Sequence, residues 1–235
     1  MTTIIATLVM VQITIACVTL YLHRGQAHKG LIFNPVLEHF MRFWLWLTTG
    51  MVTKQWVAIH RKHHRFDDAD GDPHSPHVFG IWTVFFNGAW LYNQASKDKQ
   101  MVRQYGVGTP DDWIEHSLYT PHSRLGITLM LIIDVTLFHG WGFLVWAIQI
   151  IWIPLWAAGV VNGVGHWWGY RNTKTRDFSR NVVPWDFWVG GELLHNNHHA
   201  DPANPRLSRR WFEFDLGWMY ICILKTLGLV KLRQN

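Results

Sequence analysis

The chain has 235 residues, 49% of them hydrophobic and 15% aromatic, with 16 tryptophans and a formal net charge of +5. That length suits one domain, 1–235, and leaves no stretch free for a second. The positive charge is spread through the polar segments, which argues against nucleic acid as a partner and suits anionic lipid headgroups instead. Cys17 and Cys222 both sit in apolar segments, as buried small hydrophobes do, and imply no disulfide framework.

The first apolar segment runs from Ile4 to Leu22 without a charge, long enough to cross a bilayer core. It has no basic leader and no small-residue cleavage site, so it is expected to stay as an anchor. His23-x4-His28 follows at once. Residues five apart do not stack on a straight helix, so this pair is expected to straddle a helix end. Val36 to Ile59 mixes Phe40, Phe43, Trp44, Trp46 and Leu47 with Glu38, Arg42 and Lys54, the pattern of an interfacial amphipathic segment.

Next comes His60-x2-His63-His64. Positions i, i+3 and i+4 share one helix face, so the three imidazoles are expected to point at one centre. Asp67, Asp68, Asp70 and Asp72 follow directly. Val78 to Tyr92 is uncharged but short for a span, and reads as interfacial or re-entrant. Leu125 to Phe138, interrupted by Asp134, leads through His139-Gly140-Trp141-Gly142 into an uncharged stretch from Gly142 to Val161; together they read as a helical hairpin, kinked at Pro154. His166 stands alone. A second copy of the box, His195-x2-His198-His199, follows, and Trp211 to Val230 is again amphipathic.

Arg24, Lys29, Arg42, Lys54, Arg61, Lys62, Arg65, Lys97, Lys99 and Arg103 all lie between the first span and the hairpin, and the hairpin turn carries no base. The positive-inside rule then places 23–124 and 162–235 in the cytoplasm, on the inner membrane if the chain is bacterial, with spans near 4–22, 125–138 and 142–161. The expected fold is an all-α integral membrane protein with about three transmembrane helices, interfacial amphipathic helices and a cytoplasmic histidine-rich di-metal domain.

Nine clustered imidazoles exceed what one ion takes, and two metals are the economical reading. Neutral ligands leave the ions' charge uncompensated, so nearby carboxylates are expected to orient the rings through their free N–H groups. Glu192 and the four aspartates are the candidates.

These boxes, with Asn162-Gly163-Val164-Gly165-His166 between the second and third, resemble the membrane fatty acid desaturases, and most nearly a short, bacterial-type member of the acyl-CoA desaturase branch. His64 to Pro76, which ends its acidic run in Asp-Pro-His, is similar to the segment that follows the family's second box. Asp177, Ser179, Arg180 and Asn181 resemble the approach to the third, and Gly191-Glu192 before His195-Asn196-Asn197-His198-His199 resembles the box itself. The resemblance runs from His23 to Val230. It implies a di-iron centre held by His23, His28, His60, His63, His64, His166, His195, His198 and His199, with Asn162 holding a water on one iron and Trp56 lining a bent acyl tunnel. Three departures stand out. The family's N-terminal hairpin is here a single helix, Ala58 replaces an arginine that contacts the CoA phosphates, and Leu193-Leu194 replace the usual pair before the third box. The second departure leaves acyl chains on lipid or carrier protein open beside acyl-CoA.

Taking hydrogen from an unactivated methylene demands an oxidant stronger than any side chain, so metal (Fe2+/Fe3+) and O2 must supply it. The expected reaction removes two hydrogens in turn from adjacent carbons of a long-chain fatty acyl substrate and leaves a cis alkene. Trp44, Trp56, Trp82, Phe86 and Trp90 are the bulky candidates for setting tunnel depth. With no cysteine cluster and no dinucleotide fingerprint, electrons must come from an external carrier such as ferredoxin, rubredoxin or cytochrome b5. The rival readings are a related lipid hydroxylase or oxidative decarboxylase, and a non-catalytic metal store or transporter, whose ligands would more naturally lie within the spans.

Overall fold

Residues without charge carry the first helix, α1 (Thr2–Cys17), which continues without a break as a π-wound segment, Val18–Ala27. The structure, a computed structural model, describes residues 1–233. The wider π turn answers the odd spacing of the first histidine pair: the His28 N–H donates to the His23 carbonyl at 3.1 Å, five residues back, so both rings fall on one side. His23 lies within the π segment and His28 caps it.

Strand β1 (Leu31–Phe33) leads into α2 (Pro35–Thr49), whose start is set by Asn34 accepting from the Val36 N–H and by Pro35 at the first helical position. Gly50 ends it in the left-handed conformation, φ 63°. A new helix, α3 (Thr53–Phe66), then carries the second histidine box. The amphipathic segment read as Val36 to Ile59 is therefore two helices, separated where glycine permits a backbone other residues resist.

After a single turn, α4 (Pro76–Phe79), Gly80 at φ 84° breaks the chain again before α5 (Ile81–Ala95). One face of α5 packs on the π-wound end of the later hairpin, where a Cβ on Gly88 would strike Ala158. The other face carries Trp82, Phe86 and Trp90, which are 70%, 71% and 57% exposed. Their predicted role in tunnel depth is thus corrected: they point outward. Helix α6 (Lys99–Tyr105), capped by Asp98, packs against α3.

The hairpin forms as expected. Its first arm is α7 (Ser123–Phe138); a short turn, His139–Trp141, reverses the chain; the second arm is α8 (Gly142–Ile153), extended by π winding over Pro154–Gly163. Trp146 Nε1 donates to the Ile127 carbonyl at 3.0 Å, and Gln149 Nε2 to Asp134 at 2.9 Å. Asp134, the one charge in the apolar run, is turned inward and fully buried.

Two helical stretches, Thr2–Ala27 and Ser123–His166, are long and apolar enough to cross a membrane. Their outward apolar residues include Ile4, Leu8, Ile132, Leu137, Phe143 and Leu144. The upper part of the first stretch differs: every residue from Cys17 to Ala27 is covered by protein. Tyr21, Leu22 and Ile221 centre the core there, each worth roughly 1.5–3 kcal/mol of apolar burial.

The rest is loop-rich. Strand β2 (Trp185–Asp186) pairs in parallel with β3 (Phe214–Asp215), α9 (His195–Ala200) carries the third box, and α10 (Leu216–Thr226) ends before β4 (Val230–Leu232), which pairs antiparallel with β1. The fold is mostly helical rather than all-α, because two- and three-residue strands show no alternation in the sequence.

Helices α2 and α7 cross where Gly126 leaves no room for a side chain; a Cβ there would collide with the Trp46 carbonyl. Gly126→Leu is expected to force the helices apart and cost about 1–3 kcal/mol, read as a lowered Tm in detergent. Gly140→Ala, whose Cβ would meet nothing within 4 Å, should leave Tm unchanged.

Candidate metal centre

All nine clustered histidines converge, but not box by box. His23, His28, His60, His64 and His198 form one group, and His63, His166, His195 and His199 another, each with its ring nitrogens within 4.8 Å of one another. The expectation that each H-x-x-H-H box aims at one centre is corrected by helix geometry. At 3.6 residues per turn, i and i+4 differ by about 40°, while i+3 lies about 60° to the other side of i. So His60 and His64 share a centre and His63 turns to the second; on α9 His195 and His199 pair, and His198 turns to the first.

Within the first group the Nε2 atoms stand 2.8 Å (His28 to His60), 3.1 Å (His60 to His64), 2.9 Å (His64 to His198) and 3.1 Å (His198 to His23) apart. In the second the separations are 2.9 Å (His166 to His195), 3.1 Å (His195 to His199) and 3.4 Å (His199 to His63). Ligands at about 2.1 Å from an ion sit about 3.0 Å apart at octahedral edges and about 3.4 Å apart at tetrahedral ones. The donor sets therefore fit metal ions.

The opposite ring nitrogens say which tautomer is present. His23 Nδ1 donates to Glu192 at 2.8 Å, His63 Nδ1 to Asp72 at 2.8 Å, His166 Nδ1 to Asp68 at 2.7 Å and His199 Nδ1 to Asp177 at 3.3 Å. An ionised carboxylate only accepts, so Nδ1 holds the proton and Nε2 presents a bare lone pair. His63 and His199 then face each other lone pair to lone pair at 3.4 Å. A positive charge between them, a metal ion or a proton on His63, turns that repulsion into binding.

Burial, reinforced by neighbouring imidazoles, holds His28, His60, His64, His195, His198 and His199 well below the ordinary histidine pKa, which keeps these rings neutral. For His63 burial also lowers the pKa, but the Asp72 charge outweighs it and the net shift is upward. Burial raises Asp68 too, yet its bond from His166 and those from Ser75 and the Phe178 N–H win, and it lies near 2. Asp67 has only a long 3.5 Å approach to His199, and burial pushes it up to about 7.

Of the predicted orienting carboxylates, Glu192, Asp68 and Asp72 touch rings of the two histidine groups and Asp67 barely does. Asp70 is exposed and turned away, which corrects its candidacy: it lies at the solvent side of the loop that folds Asp68 and Asp72 inward. Asp177 was not foreseen as a partner, because nothing in its spacing ties it to a ring 22 residues on. His74 was also passed over. It is buried, stacks on His63 with centroids 4.5 Å apart, and lines the cavity described next.

That cavity, about 430 Å³, is mostly apolar and runs between α1, α3, α5 and α8. His23, His60, His195, Asn162 and Glu192 line it, so it reaches both histidine groups. Trp56 lines it as well, stacked on His60 with centroids 5.0 Å apart. Trp44 instead packs half-buried against α1 and donates to Thr14 at 2.9 Å.

The third box is held by its asparagines. Asn196 accepts from the Asn172 and Thr173 N–H groups, and Asn197 donates to the Leu207 carbonyl and to Glu213. Arg24, between the first two histidines, donates to Asp215 and to the Gly190 and Pro205 carbonyls, so the π segment is bolted to the loop that delivers Glu192.

A family model described as fatty acid desaturase matches residues 1–218. The chain belongs to the fatty acid desaturase family. Among its relatives in Arabidopsis thaliana, Delta-9 acyl-lipid desaturase 1 is 31% identical, the match covering 90% of this chain and 68% of that protein. Delta-9 desaturase-like 1 protein is also 31% identical, over 92% and 72%. Palmitoyl-monogalactosyldiacylglycerol delta-7 desaturase is 30% identical, over 90% of this chain and 56% of its own length. This desaturase is accordingly an oxidoreductase of lipid metabolism, with a histidine cluster suited to metal and apolar helices suited to membrane association.

Asp186 is buried and accepts from the N–H groups of Trp188, Val189 and Leu193, fixing the loop before α9. Asp186→Ala would orphan three donors, each costing about 1–3 kcal/mol. The expected result is a large fall in Tm; Asp186→Asn, which keeps one accepting oxygen, should fall less.

Proposed function

We propose that this desaturase is an O2-dependent di-iron enzyme that introduces a cis double bond into a long-chain fatty acyl substrate. The observation that carries this reading is the convergence of nine histidine rings into two groups of close-set nitrogens beside a mostly apolar cavity that reaches both. His23, His28, His60, His64 and His198 would hold one iron. His63, His166, His195 and His199 would hold the other, with Asn162 placing a water in the position left open.

Two divalent ions bring four positive charges. Glu192, Asp68, Asp72 and Asp177, one against each of four ligand rings, bring four negative ones, which supports two ions at these groups. Imidazole donors suit iron. The bound metals would supply the O2 reduction that removal of hydrogen from a methylene requires. The protein's own part is positional. Trp56, braced on His60, and the apolar walls of α5 and α8 hold the chain beside His60 and His195 and keep water out.

The chain would be integral to the membrane, with spans near 4–22, 125–138 and 142–161, and with its histidine centre on the cytoplasmic side, as its basic residues favour. Electrons would arrive from a separate carrier such as a ferredoxin, a rubredoxin or cytochrome b5.

Fatty acid analysis of host cells expressing the wild-type chain and His198→Ala tests this, with iron counted in each purified protein. New cis-unsaturated chains that vanish in the variant are expected, with about two irons in the wild type. Two irons and hydroxylated chains, or no iron, would overturn the proposal.

A further inference from the structure

Of the residues that line the cavity, only Ala89, Asn93 and Arg124 are exposed. They mark where it opens: between the C-terminal half of α5 and the N-terminus of α7, beside Gly50 and Ser123. Helix α7 carries its exposed leucines and isoleucines from this level onward, so the opening stands at the edge of the apolar belt. A chain can enter there sideways from a bilayer.

The chemistry of the opening is specific. Arg124 is the sole lysine or arginine among the lining residues, and its guanidinium makes no ion pair or hydrogen bond among the described residues. It sits in the first turn of α7, whose free N–H groups add to the positive field. Just inside, Tyr92 lines the cavity, and its buried hydroxyl has no partner. A buried O–H left unmatched costs free energy that a ligand acceptor would recover.

We propose that this opening is a phosphodiester-reading portal: Arg124 pairs with the phosphate of a membrane glycerophospholipid while Tyr92 donates to the ester carbonyl of the acyl chain in the cavity. One cation matches the single charge of a phosphodiester and falls far short of the several phosphate charges of CoA. Asn93 at the rim adds a neutral hydrogen-bonding group for the glycerol side. The inference rests on the acyl-chain reading of the cavity.

The test uses the iron-loaded full chain in mixed micelles, supplied with O2 and with electrons from reduced ferredoxin, and with three stearoyl substrates: phosphatidylglycerol, monogalactosyldiacylglycerol and stearoyl-CoA. Double-bond formation is followed for wild type, Arg124→Gln, Arg124→Lys and Tyr92→Phe, and native mass spectrometry counts retained lipid. Turnover of the phosphatidylglycerol chains is expected, with KM raised about tenfold in Arg124→Gln, as loss of a charge-assisted contact implies, partly restored in Arg124→Lys and little change in kcat. The wild type should retain one phosphatidylglycerol and Arg124→Gln should lose it. Equal KM for the galactolipid and phosphatidylglycerol, preference for stearoyl-CoA, or an unchanged KM and retention in Arg124→Gln would overturn the portal. If no substrate gains a double bond, the desaturase reading fails, yet lipid retention with and without Arg124 still decides the portal.

Discussion

Nine imidazole rings are brought together in two groups with neighbouring Nε2 atoms 2.8–3.4 Å apart, and the rest of the molecule is arranged around that fact. His63 and His199, each with Nδ1 donating to a carboxylate, present facing lone pairs at 3.4 Å when neutral, and these repel unless a cation lies between them. The fold imposes this from five separate elements. The π segment of α1 brings His23, its cap brings His28, α3 brings three rings, the π-wound end of the hairpin leads to His166, and α9 brings three more. Such convergence is costly without metal, and metal binding then becomes part of the folding free energy.

The supports around the rings follow from the same requirement. Each of Glu192, Asp68, Asp72 and Asp177 fixes a ring's tautomer and supplies one negative charge. Each is itself held: Asp68 by Ser75 and the Phe178 N–H, Asp72 by the Asp68 and His74 N–H groups, Glu192 by Thr19. Arg24 and Asp215 lock the helical part to the loop-rich part, with both side chains almost fully buried. The wide π turns at Val18–Ala27 and Pro154–Gly163 lie where the two long apolar stretches reach the site, and both serve to aim side chains that ordinary α winding would turn aside.

Much of this was legible from residue order. The boxes, the hairpin and its turn, and Glu192 as an orienting carboxylate all follow from spacing and charge. The division of the histidines between two groups did not, because a face shared by i, i+3 and i+4 is about 100° wide, and with two targets it splits. Trp82, Phe86 and Trp90 are spaced as a helical stripe, but periodicity does not say whether a stripe faces inward, and here Gly88 and Phe85 face the hairpin instead. The π winding left no mark except the five-residue interval between His23 and His28. Asp177 and Asp70 differ in burial, which depends on a loop path that composition does not encode.

The central claim is that two metals share nine histidines as five and four. Anomalous diffraction at the iron edge from crystals of the iron-loaded protein addresses it most directly. The account predicts two peaks, one among His23, His28, His60, His64 and His198 and one among His63, His166, His195 and His199. A single peak shared by both groups, or iron bound elsewhere, would contradict it.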